Sequence, residues 1–498
     1  MSTRARVECG TRARDGPAER VPHGRGGSGG EEWALVTRGR QDGRRPAATP
    51  LWLSGPLAGG GGRAATAGAG AAATGAGTTV RVDPLADLGP GEAQATVGAA
   101  PARSGPVLPG AGASLEEVAA RAVELGLRRV ELVAWRDLDD PEAGGSELHA
   151  HRVASLWARS GLDVHLSTSA VPGMAARARR DGYGVERRSG RYAVFPRTVA
   201  RNLLRREPGR DGLVEVWNGM PFLSPLWART PRVVFLHHVH AEMWRMVLPP
   251  ALAAAGDLVE RRLAPPLYRG SRIVTLSASS RAEIVSMLGL PAERVSVVPP
   301  GVDPVFAPGG TKSAEPLVVA VGRLVPVKRF DLLVDALAAV RARHPGLRAV
   351  IVGEGYERER LQARVRSHDA AGWLTMPGHL DQAALVDLYR RAWALVSHSQ
   401  REGWGMTITE AAACGTPAVA TRIAGHADAV EDGRTGLLVD GTTSMVRALD
   451  ALLRDPERRE RLARGALERA GRFTWEATAA GTLQALADEA ATRARARG

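Results

Sequence analysis

The chain of 498 residues is poor in cysteine and contains no long apolar run. Its only cysteines, Cys9 and Cys414, exclude a disulfide framework and a zinc site built on cysteine ligands, and this usage suits a reducing cytoplasm. No stretch approaches the ~18 uninterrupted apolar residues that a membrane-spanning helix needs. The first residues carry charge without an apolar segment behind them, so we expect no secretory signal and a cytoplasmic protein.

Lysine is also scarce. Lys312 and Lys328 are the only lysines among 66 lysine and arginine residues. Together with abundant Ala and Gly, this bias is typical of GC-rich coding, so much of the net charge of +13 carries no functional information. The scattered arginines and the lack of a recognised nucleic-acid module argue against a nucleic-acid-binding protein. A lysine retained in such a chain indicates a site where a compact ammonium differs in use from a guanidinium.

The length of the chain predicts two domains with additional segments. Residues 1–112 hold 24 of the 58 glycines and lack the apolar periodicity that could offset the entropy of ordering. We predict a disordered Gly/Ala/Arg-rich extension there; a start codon assigned too far upstream is the alternative. An N-terminal domain is expected at 113–303, a second domain at 304–472, and a C-terminal helix that packs back on the first domain at 473–498.

Strand and helix patterns alternate through both predicted domains. A capping box at Ser114 and Glu117 begins the first helix, and Gly126 follows its end. Strands are predicted at 128–135, 164–168, 193–195, 214–216, 232–236, 317–322, 348–353, 374–378, 394–399 and 417–421. Helices are predicted at 331–342, 356–366, 383–391 and 406–414. This α/β alternation predicts two Rossmann-like domains, each with a parallel sheet, that face each other across a cleft at the carboxyl ends of their strands.

The segment REGWGMTITEAAACGTPAVAT (401–421) is the strongest local signal. Gly403 and Gly405 allow close backbone approach, and a helix beginning at Met406 would direct free amides and the positive end of its dipole at a phosphate. Glu410 lies about one turn inside that helix, where its carboxylate can accept hydroxyl groups. A strand, loop and helix with Glu402 and Glu410 as solvated surface residues is an equally weighted alternative.

A second loop, VGRLVPVK (321–328), carries Arg323 and Lys328 between a strand and a helix. Two fixed cations beside the N-terminus of the helix at Met406 would neutralise a diphosphate. For Arg323 the alternative is a surface loop in an Arg-rich chain. We expect Lys328 to be a solvated loop residue whose substitution leaves folding nearly unchanged.

These residues resemble the retaining nucleotide-sugar glycosyltransferases of family four, which have the GT-B fold, over roughly residues 128–480. The resemblance includes EAGGSE (142–147), HHVHAEMW (237–244) and VVPPGVD (297–303). It implies that the substrate is a nucleotide diphosphate sugar, with no further cofactor and no metal ion. The sugar, the base and the acceptor (saccharide, lipid or small molecule) stay open.

The resemblance also implies roles for individual residues. Glu402 would hold hydroxyls of the donor sugar and Glu410 the nucleotide ribose. The diphosphate would be held by the backbone amides near Gly405, Met406 and Thr407, and by Arg323 and Lys328. Gly144 and Gly145 would close on the donor, and His237, the histidine that directly follows a strand, would lie near the reacting sugar. His238 and His240 are the alternatives to His237.

Three further features are open to interpretation. Asp137-Leu138-Asp139 is a D-x-D sequence, which we interpret as a solvated turn without a metal. Gly353 and Gly355 are expected to line the donor site. The eleven arginines of Arg177–Arg210 form either a solvated face or a contact with an anionic membrane or the acceptor. A sugar-nucleotide epimerase or a phosphorylase is the alternative enzyme, although neither lysine suits a phosphorylase cofactor.

Removal of residues 1–112 should leave catalysis intact, because nothing in them can pack or contribute to the cleft. We expect a chain that begins near Gly112 to keep full turnover with the native acceptor in steady-state kinetics. A large loss of turnover with the fold intact would give the extension a catalytic or docking role.

Overall fold

The computed structural model describes residues 113–204 and 209–497. The predicted disordered extension at 1–112 lies outside these residues. Within the described ranges, no helix combines the length and the apolar character that crossing a membrane requires.

An eight-stranded sheet forms the first half of the chain. Its strand order is β3-β4-β2-β1-β5-β6-β7-β8, and every pair is parallel except β3 with β4. The strands are β1 Arg129–Val133, β2 Asp163–Thr168, β3 Arg177–Arg180, β4 Tyr183–Arg187, β5 Gly212–Val216, β6 Arg232–Phe235, β7 Arg272–Thr275 and β8 Val295–Val297. The helices are α1 Leu115–Glu124, α2 Gly145–Arg159, α3 Val194–Leu204, α4 Ser224–Trp227, α5 Met243–Val247, α6 Pro250–Leu258, α7 Pro265–Tyr268 and α8 Ala278–Leu288, with a π-helical turn at Val259–Leu263 and a 3₁₀ turn at Ala292–Arg294.

A second, wholly parallel sheet has the order β11-β10-β9-β12-β13-β14. Its strands are β9 Leu317–Val321, β10 Arg348–Val352, β11 Leu374–Gly378, β12 Ala394–Ser397, β13 Ala418–Thr421 and β14 Gly436–Val439. The helices are α9 Phe330–Arg341, α10 Arg358–Ser367, α11 Gln382–Arg391, α12 Met406–Ala413, α13 His426–Ala429, α14 Thr442–Arg454, α15 Pro456–Ala470 and α16 Trp475–Arg495, with a 3₁₀ turn at Pro326–Lys328.

In each sheet, successive strands are added first on one side of a central strand and then on the other, so the strand order reverses there. β1 lies between β2 and β5, and β9 lies between β10 and β12. In such sheets, ligands bind outside the carboxyl ends of the strands at the point where the strand order reverses. The strand order therefore predicts a ligand site at the loops that follow β1, β5, β9 and β12.

The long C-terminal helix α16 returns to the first sheet. Trp475, Leu483 and Leu486 share a buried cluster with α1, α2 and the strands of that sheet. The chain crosses itself where the two domains join, because Val302 N donates to Phe473 O (3.0 Å) and Thr478 Oγ1 donates to Pro299 O (2.8 Å). Gly301 permits this crossing, since a Cβ there would lie 2.2 Å from Trp475 N.

The prediction of a strand at 193–195 is wrong. Val194 and Phe195 begin α3, and Pro196 lies in its first turn, where the missing amide proton removes no helical hydrogen bond. Burial explains the apolar pattern: Val194 is buried, and the Phe195 ring packs against Phe222 with the ring centroids 4.7 Å apart. Five strands were not predicted: β3, β4, β7, β8 and β14.

The interpretation of the D-x-D sequence as a solvated turn is also wrong. Asp137 is fully buried, where it binds Arg187 and accepts a hydrogen bond from Arg180 Nη1 (3.1 Å). Asp139 binds the same two arginines. Burial alone would raise the pKa of Asp137, but the charges of His151, Arg187 and Arg180 hold it below its usual value.

Two more acidic residues of this loop bind one arginine. Arg191 Nη2 donates to Asp140 Oδ1 (3.0 Å), and Arg191 Nη1 donates to Glu142 Oε1 (2.8 Å). Three arginines of the Arg177–Arg210 run, Arg180, Arg187 and Arg191, therefore fix the loop between β1 and α2. Their charges are matched by carboxylates of the same domain. The membrane contact through Arg177–Arg210 stays a prediction.

Arg187→Leu should be strongly destabilising, because it leaves the buried carboxylate of Asp137 short of its closest partner. We expect a loss of about 3–5 kcal/mol in the free energy of unfolding, measured by urea denaturation. Arg188→Leu is the matched control: Arg188 is more exposed and pairs with Glu186 near the surface, so its loss should be about 0–1 kcal/mol. Equal, small losses in both variants would contradict the role of the buried pair.

Candidate active site

The two loops predicted from the sequence to bind the donor follow neighbouring strands of the second sheet. Arg323 and Lys328 follow β9, and Glu402 follows β12, which pairs with β9 in the parallel sheet. Both loops leave the carboxyl edge of the sheet beside its winding reversal. The structure therefore brings the predicted cationic loop and the predicted glutamate loop together.

Glu402 and Lys328 form an ion pair. Ser399 Oγ donates a second hydrogen bond to Glu402 Oε1 (2.9 Å). Burial alone would raise the pKa of Glu402, but the charges of Lys328 and His426 bring it below its usual value, so the carboxylate is ionised at neutral pH. The side chains of Lys328 and Glu402 are only 22% and 17% exposed. The expectation of a solvated Lys328 is therefore wrong.

Helix α12 begins at Met406 directly after a tight glycine turn. Gly405 has φ +100°, and a Cβ at this position would lie 3.1 Å from His426 Cδ2. The φ value and the crowding both require glycine. Gly425, in the loop after β13, supports the same turn, because a Cβ there would lie 2.6 Å from Glu402 O. The first turn at Met406 and Thr407 supplies the free amides of a helix N-terminus.

Glu410 lies one turn further along α12 and is half-buried. The Tyr389 hydroxyl donates a hydrogen bond to Glu410 Oε2 (3.2 Å). Burial raises the pKa of Glu410 to about 7, assisted by the charge of Asp303 and opposed by the Tyr389 hydrogen bond. Neither Glu402 nor Glu410 is fully solvated, so the alternative of two solvated surface glutamates is wrong.

The glycine turn of the first domain touches the second domain at the predicted residues. A Cβ on Gly144 would lie 3.4 Å from Arg323 Nε, and a Cβ on Gly145 would lie 3.0 Å from Met406 Sδ. Arg323 Nη1 also donates to Glu142 O (3.3 Å). One turn thus contacts both a candidate phosphate-binding cation and the first residue of α12.

The start of α2 holds this glycine turn in place. Glu147 Oε2 accepts a hydrogen bond from Gly144 N (2.8 Å), and Glu147 Oε1 accepts one from Arg136 Nε (3.2 Å). Gly353 and Gly355 support the Arg323 loop from below, because Cβ atoms there would lie 1.9 Å from Gly322 O and 2.2 Å from Leu324 O. For these two glycines the structure gives a packing reason; whether they line the donor site stays a prediction.

The three histidines after β6 occupy different environments. His237 is buried and its Nε2 lies 3.3 Å from His149 Nδ1. Burial lowers the pKa of His237 to about 4, against the opposing charge of Glu147, so the imidazole is neutral at physiological pH. His238 and His240 stack on each other with their ring centroids 5.0 Å apart. A neutral His237 can donate one hydrogen bond and accept another, but it cannot supply positive charge.

Close backbone contact connects the histidine loop with the glutamate loop. A Cβ on Gly403 would lie 2.7 Å from His237 O, and Ser280 Oγ donates to Gly403 O (3.3 Å). On the far side, Arg401 Nε donates to Val239 O (2.7 Å). The main chain of the Glu402 loop therefore lies directly on the loop that carries His237.

Sequence reasoning missed three polar residues at this junction. His149 contacts His237 from α2, and His426 donates from Nδ1 to Thr421 O (3.0 Å) beneath Gly405. Asn218, at the carboxyl end of β5, donates from Nδ2 to Ser146 Oγ (2.9 Å). Asn218 follows β5, which lies between β1 and β6, and His426 follows β13, which lies beside β12. These neighbouring strands carry the predicted loops, so the strand order, and not the local sequence, could have indicated Asn218 and His426.

Two family descriptions match the chain in succession: "Glycosyltransferase Family 4" at residues 143–306 and "Glycosyl transferases group 1" at residues 303–469. The D-inositol 3-phosphate glycosyltransferase of Acidothermus cellulolyticus is 32% identical over 416 residues, covering 74% of this chain and 91% of that protein. The chain belongs to glycosyltransferase family 4. The protein of the same name from Kribbella flavida is 31% identical and covers 73% of this chain and 96% of its own length. The family resemblance drawn from the sequence motifs is thereby confirmed.

Solved structures with the same architecture confirm the GT-B fold. Sucrose-phosphate synthase from Thermosynechococcus elongatus superimposes with a TM-score of 0.63 at 20% identity, over 74% of this chain and all of that chain. Anabaena HepE, solved in complex with UDP and glucose, gives a TM-score of 0.55 at 18% identity over 74% of this chain and 100% of its own. At these identities the likeness concerns the fold of this family 4 member.

Glu410→Gln should change the pH dependence of stability in the unliganded protein. The unfolded chain ionises Glu410 near its ordinary pKa of 4.5 and the folded chain near 7, so the folded chain binds more protons between these values. The free energy of unfolding of the wild type therefore falls as pH rises through this window. Glutamine removes that loss and should stabilise the protein by about 3 kcal/mol above pH 7, but not below pH 4.5.

Thermal unfolding at several pH values measures this difference. Glu359→Gln, on the exposed surface of α10, is the control and should follow the wild-type profile. A constant offset between Glu410→Gln and the wild type at all pH values would show that Glu410 does not titrate in this window.

Proposed function

We propose that this protein transfers a sugar from a nucleotide diphosphate sugar to an acceptor, with retention of anomeric configuration and without a metal ion. The observation that carries the proposal is the meeting of three sources of positive charge at one junction. Arg323 and the start of α12 both contact the Gly144–Gly145 turn, and Lys328 binds Glu402 four residues before α12. Such an arrangement suits a diphosphate.

The chemistry proposed for this junction is electrostatic. As the glycosidic bond of the donor breaks, negative charge grows on the departing diphosphate, and in this proposal Arg323, Lys328 and the amides of Met406 and Thr407 bind it there. Preformed charges need no reorganisation at the moment of reaction, so they stabilise the transition state more than the ground state. The sugar becomes oxocarbenium-like, and attack by the acceptor on the leaving-group face gives retention without a protein nucleophile.

Two observations on charged residues support transfer without a metal ion. The carboxylates of Asp137 and Asp139, the D-x-D pair, each bind two arginines. Arg323 and Lys328 supply the positive charge that a metal ion would otherwise bring to a diphosphate. Within this mechanism Glu402 holds donor-sugar hydroxyls, Glu410 holds the ribose, and the neutral His237 makes a hydrogen bond near the reacting sugar.

The Lys328–Glu402 pair gives Glu402 a second part in this mechanism. In the unliganded protein the ammonium is bound to the carboxylate, so a bound diphosphate would share Lys328 with Glu402. Glu402 would then position the ammonium as well as contact the sugar. A compact ammonium with three donors can bind both groups, whereas a planar guanidinium has a fixed donor geometry.

A screen of nucleotide-sugar donors by mass spectrometry tests the function. The acceptors include inositol phosphates, in view of the names of the relatives, together with saccharides and lipids. Transfer that requires both a donor and an acceptor supports the proposal. Donor turnover without any acceptor, with an epimerised product, would favour an epimerase instead.

Lys328→Ala should lower turnover at saturating donor by about a hundredfold, on the order of 3 kcal/mol of transition-state stabilisation. Lys328→Arg keeps the charge but replaces the ammonium with a wider planar group, so we expect an intermediate loss. Lys312→Arg is the control, because Lys312 donates to Ala392 O (2.8 Å) and Thr416 Oγ1 away from the junction. Steady-state kinetics with each variant provides the measurement.

Because Lys328 forms an ion pair with Glu402, substitution of Lys328 should also lower the stability of the fold. Lys328→Ala leaves Glu402 without its main partner and should destabilise the protein by about 1–3 kcal/mol. Kinetics must therefore be measured below the unfolding transition. A fully active Lys328→Ala variant would refute the diphosphate role and leave Arg323 as the side-chain candidate.

A further inference from the structure

Four exposed leucines define an apolar surface on the first domain, which we call the leucine surface. Leu252 and Leu258 lie on α6, Leu263 lies in the π-helical turn, and Leu267 lies on α7. Their exposures are 59%, 50%, 58% and 38%. Four of the eleven large apolar side chains exposed among the described residues thus fall within sixteen residues of sequence. Exposed leucines concentrated on three consecutive helical elements make this segment a candidate interaction surface.

Basic residues border the leucine surface. Arg261, Arg262 and Arg269 are exposed in the same segment, and its only accessible carboxylate is Asp257, 3.5 Å from Arg261. The other acid, Glu260, is buried and accepts hydrogen bonds from the main chain. A short helical segment that exposes leucines beside arginines fits an anionic bilayer, where apolar side chains enter the headgroup boundary and guanidinium groups bind phosphates.

The leucine surface adjoins the candidate active site. Helix α6 packs on α5, and α5 contacts the Pro326–Lys328 turn of the second domain. Glu260 also joins the surface to the histidine loop, because it accepts hydrogen bonds from His240 N (2.8 Å), Ala241 N (3.1 Å) and Trp244 Nε1 (2.9 Å). The segment that exposes the leucines is thus fixed to the edge of the cleft.

We propose that the leucine surface docks the protein on an anionic membrane. The arginines of Arg177–Arg210 are less suited to this contact, because Arg180, Arg187, Arg191 and Arg210 bind carboxylates of their own domain. Docking through α6 and α7 places the edge of the cleft at the bilayer and favours an acceptor carried by lipid. That consequence rests on the transferase function proposed above, whereas the docking itself does not.

Vesicle sedimentation of the full chain tests the proposal without any enzymatic assay. Vesicles of phosphatidylcholine are compared with vesicles that also contain phosphatidylglycerol. We expect binding to the anionic vesicles that weakens with salt, and a decrease of about tenfold or more in Leu258→Glu/Leu263→Glu, because a charge cannot enter the apolar boundary. Arg261→Ala/Arg262→Ala keeps the leucines and should lower binding to anionic vesicles alone.

Leu203→Glu/Leu204→Glu is the matched control. Both leucines are exposed on α3, at 55% and 84%, within the Arg177–Arg210 region, and this variant should bind vesicles as the wild type does. Loss of binding in this control, with Leu258→Glu/Leu263→Glu unaffected, would move the contact to that region and overturn the proposal. So would equal binding to neutral vesicles, or no binding to either kind.

Sedimentation velocity separates the membrane from a second copy of the chain as the occupant. A wild-type dimer that Leu258→Glu/Leu263→Glu converts to a monomer, together with no vesicle binding by the wild type, would assign the leucine surface to self-association and overturn the proposal. Thermal unfolding verifies that each variant is folded; if the glutamate variant is not, the arginine variant and the salt dependence decide. None of these measurements depends on sugar transfer, so failure of the docking proposal and failure of the proposed function are distinguishable.

Discussion

The candidate site depends on a close contact between the main chains of the two domains. Gly403 lies so near His237 O that a Cβ would be 2.7 Å from it, and Cβ atoms on Gly144 and Gly145 would lie 3.4 Å from Arg323 Nε and 3.0 Å from Met406 Sδ. A side chain at Gly403 would push the Glu402 loop away from the loop that carries His237. The glycines of this family 4 member thus set the distance across which the remaining groups act.

Many arginines among the described residues of this protein form ion pairs with carboxylates of the same chain. The loop that presents Gly144 is held by three arginines that neutralise Asp137, Asp139, Asp140 and Glu142. A net charge of +13 is consequently a poor guide to partners, because basic residues that look unpaired along the sequence meet carboxylates from elsewhere in the fold. The charges of the candidate site are the few that lie at the junction of the domains.

The sequence predicted strands best where they form continuous apolar runs, as at Leu317–Val321 and Arg348–Val352. It nevertheless missed β7 and β14, although most of their residues are buried. It failed at Arg177–Arg180, where an edge strand made of arginine and alanine has no apolar pattern, and at Val194, where an apolar start of a helix imitates a strand. Glu402, Arg323, Lys328 and the glycines could be selected because they share short motifs.

The partners of those residues could not be predicted, because the contacts span long distances along the chain. The ion pair of Lys328 with Glu402 joins residues 74 positions apart, and the contact of His149 with His237 joins residues 88 positions apart. Asp137 looked solvated because its arginines come 43 and 50 residues later. Burial and pairing of polar groups are products of the tertiary fold, which local composition does not encode.

The scarcity of lysine has a practical consequence for chemical labelling. The first domain contains no ε-amino group at all, and the second contains two, one bound to Ala392 O and Thr416 and the other at the cleft. An amine-directed acylating reagent therefore has only Lys312 and Lys328 as side-chain targets in the whole chain. A ligand bound in the cleft would protect the Lys328 amine from the reagent. The abundant arginines do not react with it, so they would not obscure this change.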